Sequence, residues 1–301
     1  MMKHERTYVI TGPTSGIGYA ASLELAKHGA VILVARNREK LKRVQKEIEK
    51  AGQKAIPVLC DISDIKNVRS AAQQIISLQL PIEGLLNNAG VMPARPSKSA
   101  QGWDLTFATN HLGAFAFTEA LAPHLPDAGN VIFIASAIED PERRPAKIMG
   151  MKGGRYISAE ASAHGQWAAG GSKMAGIDAY ATSKLCILAS AFAFARENPR
   201  LHFNAVEPGI TRGTSLGGET MPAFIRFLFG QLMAIIPPFS KYSSTPEKAA
   251  KVITKVLTDK SAATGIYFDE RGNPMQASEL ALDTKFQDRV VAETRALLSK
   301  V

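Results

Sequence analysis

Cysteine is scarce: Cys60 and Cys186 are the only two in 301 residues, and neither has the spacing of a metal site. No metal is therefore expected, and the chain is read as one for a reducing, cytoplasmic setting. Low-complexity tracts and repeats of about 20 to 50 residues are absent, which removes linker-rich and solenoid architectures. Lysines and arginines outnumber acidic residues 36 to 27, for a net charge of +9. They are scattered through 40–54, 143–152 and the last helix, with no basic stripe interleaved with aromatics, so no nucleic-acid partner is expected. Met1-Met-Lys-His-Glu-Arg6 runs straight into a strand with no apolar region behind it, and no signal peptide is expected. Only one apolar stretch, 221–239, is about long enough to cross a bilayer. Arg226, Gln231 and a proline near each end argue against a span. We read it as an apolar lid over a substrate pocket, with weak contact to a membrane surface as the second reading.

What is present is a globular composition, 46% hydrophobic and 21% charged. Short β-branched runs alternate with amphipathic segments. Strands are expected at 7–11, 31–35, 55–60, 82–88, 130–136, 202–207 and 265–268. Helices are expected at 16–28, 38–50 (capped by Asn37), from 64, at 100–125, 177–198, 245–258 and 286–299. This alternation predicts an α/β fold: one doubly wound, Rossmann-type parallel sheet, strand order 3-2-1-4-5-6-7, in a single domain with helices on both faces. Two irregular inserts, 137–176 and 212–241, are placed at the carboxyl edge of the sheet, where ligands bind.

Thr11-Gly-Pro-Thr-Ser-Gly-Ile-Gly18 follows the first strand and opens the first helix. Gly12 permits the tight turn, Gly16 the approach of a pyrophosphate, and Gly18 close packing of helix on strand. Thr14, Ser15 and Ile17 complete the loop, and the helix N-terminus supplies amide donors. An acidic residue at the end of the second strand would select NAD. That slot reads Val34-Ala-Arg-Asn-Arg38 instead, so Arg36 and Arg38 are expected to hold a 2′-phosphate and NADP(H) to be the cofactor.

Tyr180-Ala-Thr-Ser-Lys184 puts a phenol and an ammonium group on one helix face. A lysine so placed can lower the phenol's pKa and fit it for proton exchange with an alcohol or carbonyl.

Taken in order, these marks resemble the short-chain dehydrogenases/reductases along nearly the whole chain. They include the glycine loop, Asp61-Ile62, Asn87-Asn-Ala-Gly90, Asn110 in Thr-Asn-His-Leu-Gly, Ser136, Tyr180-x-x-x-Lys184 and Pro208-Gly209. The resemblance implies a catalytic tetrad. Ser136 would hold the substrate oxygen, Tyr180 would exchange its proton, Lys184 would tune Tyr180 and grip the nicotinamide ribose, and Asn110 would hold a relay water. It also implies that Asp61 and Ile62 meet adenine, that Asn88, Ala89 and Gly90 line the adenosine ribose, and that Pro208, Gly209 and Thr211 (or Thr214) cover the carboxamide. A homo-oligomer is compatible with it.

Ser136 and Tyr180 stand far apart in sequence where many family members keep about a dozen residues between them. The insert reads as an extra wall or flap, with His164 and Trp167 as candidate substrate contacts or, first, as parts of a short helix or hairpin packed on the domain. The segments Pro237-Pro-Phe-Ser-Lys-Tyr242, Thr264-Gly-Ile-Tyr-Phe268 and Ser183-Lys-Leu-Cys186 resemble the retinol dehydrogenase-like and protochlorophyllide reductase-like branch. Together these imply reduction of a bulky apolar aldehyde or ketone by NADPH, or the reverse oxidation of an alcohol. The alternatives are light-dependent-type reduction of a tetrapyrrole double bond, or a cofactor-binding sensor or scaffold without turnover.

Overall fold

Thr7–Thr11 (β1) is buried at every position, as a β-branched run between two helical layers must be. The computed structural model describes residues 6–93, 95–172, 176–211, 239–261 and 263–301. After β1 come Gly16–Leu25 (α1), Ala30–Ala35 (β2), Arg38–Lys50 (α2), Ala55–Leu59 (β3), Ile65–Ser77 (α3) and Ile82–Asn87 (β4). Asn37 caps α2, its side chain accepting from Lys40 N, and Asp64 caps α3 in the same way through Lys66 N.

Next follow Leu105–Phe107 (α4), a π-helical stretch Ala108–Gly113, Ala114–Leu121 (α5) and Asn130–Ile134 (β5). The insert contributes Arg144–Ile148 (α6) and Ala159–Ala163 (α7). Then come Ile177–Glu197 (α8), His202–Val206 (β6), Ile210–Thr211 (β7), Ser243–Ser244 (β8), Pro246–Thr258 (α9), Tyr267–Phe268 (β9), Glu279–Leu282 (α10) and Thr284–Leu298 (α11).

The main sheet runs β3-β2-β1-β4-β5-β6-β9, all parallel, and matches the expected order with β9 as its seventh strand. The small β7–β8 pair lies outside it and was not expected. On one face Leu25, Leu41, Val44 and Ile253 pack from α1, α2 and α9. On the other Val68, Phe115, Leu188 and Val290 pack from α3, α5, α8 and α11. α8 is long and apolar enough by composition to cross a membrane, but 83% of that stretch is buried inside the protein, so it serves as a core helix.

Local boundaries differ from expectation where turns intervene. The helix expected from 100 begins at Leu105, because Gly102 takes a left-handed turn (φ 75°) and the Asp104 side chain caps the helix by accepting from Phe107 N. The helix expected to reach 28 ends at Leu25. Residues 212–238, which hold nearly all of the expected lid and membrane-surface segment 221–239 and most of the insert 212–241, lie outside the described residues.

Candidate active site

The carboxyl ends of β1, β2, β4 and β5 open onto a cleft of about 470 Å³. Its floor is the glycine loop: Gly12, Thr14, Ser15, Gly16, Ile17 and Gly18 all line it. Gly12 adopts φ 70°, the left-handed turn that the loop needs. A Cβ at Gly18 would collide with the Gly12 carbonyl oxygen, so only glycine lets α1 start this close to the strand. Ser15 precedes α1 without capping it by its side chain, which leaves the first-turn amides free to meet an anion. Thr11 locks the floor to β4. Its Oγ1 accepts from Asn88 N and Ala89 N, both at 3.0 Å, while Asn88 Nδ2 donates to Thr11 O at 2.9 Å. Asn88, Ala89 and Gly90 line the same cleft.

At the β2 end the cleft is lined by Arg36, Asn37 and Lys40, but not by Arg38. Because Asn37 is the helix cap, Arg38 becomes the first helical residue and turns to solvent. Lys40, overlooked in the sequence reading, takes the place expected for Arg38. Arg36 Nη1 lies 3.8 Å from Asp61 Oδ2, and the other Asp61 oxygen accepts from Ser63 N and Ser63 Oγ. Asp61 and Ile62 both border the cleft.

Lys184 and Tyr180 enter from α8, with Lys184 buried and Tyr180 half-buried against the cleft. Lys184 Nζ lies 5.4 Å from the centre of the Tyr180 ring. Burial pushes the Lys184 ammonium down to about 8, partly opposed by the negative Glu207. Burial also raises the Tyr180 phenol, Glu207 raises it further, and the Ser136 hydroxyl pulls the other way through a hydrogen bond. This reverses the direction expected from the Tyr–Lys spacing. Low polarity and a neighbouring carboxylate favour the neutral phenol. Tyr180 is thus kept as a proton donor.

Asn110 Oδ1 accepts from Val91 N at 2.8 Å, and its Nδ2 donates to Val91 O at 3.0 Å and to Ser183 Oγ at 3.1 Å. These bonds fasten the Val91 turn to α8 and use both amide hydrogens, while Oδ1 keeps a second lone pair that could accept from a water. Asn110 borders neither cavity directly and sits within the π-helical stretch.

Ser136 lines a second cavity of about 170 Å³. Ile138, Pro145, Met149 and Met151 of the insert, together with Ile210 and Tyr242, give it apolar walls. Pro208 borders the first cavity and Gly209 the second, so the Pro-Gly turn divides them instead of covering one. Thr211 lines neither, and its Oγ1 donates to Pro208 O and Gly209 O, both at 3.2 Å. Thr214 lies outside the described residues. His164 and Trp167 do not reach the second cavity. His164 is exposed beside Glu160 at 3.2 Å, and Trp167 packs edge-on to Phe107 at 6.3 Å. Among the described residues no group of three or more His, Cys, Asp or Glu could hold a metal.

The donor set fits a dinucleotide. There are free amides and a glycine floor for a pyrophosphate, two cations at one end, and a phenol with an ammonium group at the other. The short chain dehydrogenase family model matches residues 6–144. The chain is 29% identical over 306 residues to the short-chain dehydrogenase TIC 32 B, chloroplastic, of Brassica napus, covering 94% of this chain and 86% of that one. Retinol dehydrogenase 13 of Homo sapiens is 29% identical (97% and 84% covered), and the chloroplastic protochlorophyllide reductase of Pisum sativum 28% (86% and 68% covered). Among solved structures, an uncharacterized protein from Mycobacterium paratuberculosis superposes with a TM-score of 0.72 at 22% identity, covering 98% of this chain and 93% of that one. A blue fluorescent protein from a metagenomic library, in complex with NADPH, gives a TM-score of 0.65 at 22% identity, with 89% and 97% covered.

Proposed function

We propose that this chain is a nicotinamide-dependent oxidoreductase of the short-chain dehydrogenase/reductase kind and that it reduces a bulky apolar aldehyde or ketone with NADPH. The observation that carries this reading is that Tyr180, which lines the dinucleotide-shaped cleft, is hydrogen-bonded to Ser136, which lines the apolar cavity beside it. NADPH supplies the hydride when bound. Arg36 and Lys40 would hold its 2′-phosphate, and the amides of 14–18 its pyrophosphate.

The chain's own residues do the rest. Ser136 donates a hydrogen bond to the carbonyl oxygen and fixes it beside Tyr180. As the carbonyl carbon takes hydride, the oxygen gains negative charge and accepts the phenolic proton. Lys184, one helical turn along α8, stabilises the phenolate left behind. The apolar walls of the second cavity exclude water and favour a hydrocarbon body over a polar one. A reducing compartment suits the two buried thiols Cys60 and Cys186.

Light-dependent reduction of a tetrapyrrole double bond is the second reading, prompted by the protochlorophyllide reductase relative. The test is turnover with NADPH against a panel of apolar carbonyl compounds, in light and in darkness, for the wild type and Tyr180→Phe. Dark turnover lost in the variant supports the proposal. Equal rates for the two proteins would sink it.

A further inference from the structure

We propose that Glu207 is a positioning residue of this reaction: its carboxylate fastens the Ser136–Ala137 turn to the Pro208–Gly209 turn and presents a buried negative charge to the Tyr180–Lys184 pair. The inference rests on the reductive reading above and concerns a residue that the sequence showed only as the end of a strand.

Geometry carries the first half. Ser136 and Glu207 leave neighbouring parallel strands at one level, with Ile134 paired to Val206 and Ala135 N donating to Val206 O at 3.0 Å. A 3-10 turn, Ala137–Glu139, begins immediately after Ser136, and its first amide has no partner within the turn. Glu207 supplies one, Oε2 accepting from Ala137 N. Its other oxygen, Oε1, accepts from Gly209 N at 3.0 Å, in the turn that divides the two cavities. Tyr267 OH donates to Oε2 at 3.4 Å. All three partners are donors, which is the pattern of an ionised carboxylate. One side chain thus sets where the Ser136 hydroxyl stands relative to the nicotinamide end of the cleft.

Electrostatics carries the second half. Glu207 is buried, 8% exposed, and burial pushes its own carboxyl up, opposed by the Ala137 and Gly209 amides and by Arg143; where it is ionised, its charge is poorly screened. It acts on both Tyr180 and Lys184, in each case favouring the protonated form. The other groups facing it are Tyr267 on β9, Arg143 of the insert and Glu270 after β9. Arg143 is the one positive charge among them, and it lies in the second cavity, on the side away from the cofactor cleft. A protonated lysine and a protonated tyrosine are the pair that a reduction needs before each turnover.

The experiment compares wild type, Glu207→Gln and Glu207→Asp. The alkaline limb of kcat/KM for reduction is measured, and so is the titration of Lys184 by 13C NMR of labelled lysine side chains, its signal assigned by its loss in Lys184→Arg. Glu207→Gln removes the charge at constant size. It is expected to move both the limb and the Lys184 titration to lower pH by about half a unit or more. Glu207→Asp keeps the charge but cannot span both turns. It is expected to leave the limb in place while kcat falls about threefold or more. A wild-type limb and wild-type Lys184 titration in Glu207→Gln overturn the proposal, as does wild-type kcat in Glu207→Asp. If Glu207→Gln does not fold, Glu207→Asp decides, with a moved limb or an unchanged kcat counting against it. If no protein turns over any carbonyl yet the Lys184 titration moves in Glu207→Gln, the placement of charge stands and the reductive reading falls.

Discussion

Lys184 donates from Nζ to the main-chain oxygen of Ile134 at 2.6 Å, so the helix bearing Tyr180 is tied to the last residue of β5. The ammonium group is thereby held at the end of β5, buried from solvent. Its charge is what makes the site work, and burial brings the loss of that charge within reach of ordinary pH.

Lys184 is held down to about 8, and below that pH it carries its proton. The rate of reduction, followed as kcat/KM for NADPH, is expected to be level at neutral pH and to fall above about 8 with a slope of about one. A profile flat to pH 10 would remove Lys184 from the assignment.

Glu139 gives a stability prediction of definite sign. It is buried, 2% exposed, accepts from Ser278 N at 3.1 Å and from Ser278 Oγ, and burial pushes its carboxyl up from 4.5 to about 7. Between those values the folded chain holds a proton that the unfolded chain has shed. Stability from this group is therefore full below about 4.5 and is lost as pH rises to about 7. Glu139→Gln can keep both Ser278 contacts without a charge. Its unfolding free energy relative to wild type, from denaturant melts, is expected to climb between pH 5 and pH 8, by at most on the order of 3 kcal/mol. A constant difference across that range would refute the account.

Arg36 and Lys40 define cofactor choice. Arg36→Ala with Lys40→Ala should raise KM for NADPH about tenfold or more and leave KM for NADH within about twofold. Arg38→Ala, turned away from the cleft, should change neither. Initial rates with each cofactor measure this directly.

Gly18→Ala places a methyl group against the Gly12 carbonyl oxygen. The glycine floor must shift, so the thermal stabilisation by NADP is expected to vanish, along with a loss of about 1 to 3 kcal/mol in stability. Retention of the NADP shift would mean that the loop tolerates the movement.

The sheet order was legible because each strand is a short apolar run closed by a turn residue, and seven of these with helical spacers leave little topological freedom. The glycine floor was legible for the same reason: Gly12 and Gly18 have no substitute at their positions. Arg38 was misplaced because one capping residue, Asn37, decides which of two nearby cations faces inwards. The direction of the Tyr180 shift was invisible because it depends first on burial and then on Glu207, 27 residues away in sequence, and only the packed fold supplies either. The partners of Asn110, Val91 and Ser183, were not legible because only the packing of the π-helical stretch on α8 brings them to it.

The wall of the second cavity is anchored at sites remote from the chemistry. Arg155 N donates to Thr182 Oγ1 at 2.7 Å, Tyr156 OH donates to Glu293 Oε2 at 2.7 Å, and Ala159 N donates to the same carboxylate oxygen at 2.9 Å. Those moorings are independent of the residues that contour the chamber, Arg143 to Met151. The panel between them can therefore be re-carved to admit a differently shaped molecule while the proton-donating machinery stays in register, as a mould can be exchanged without rebuilding the press.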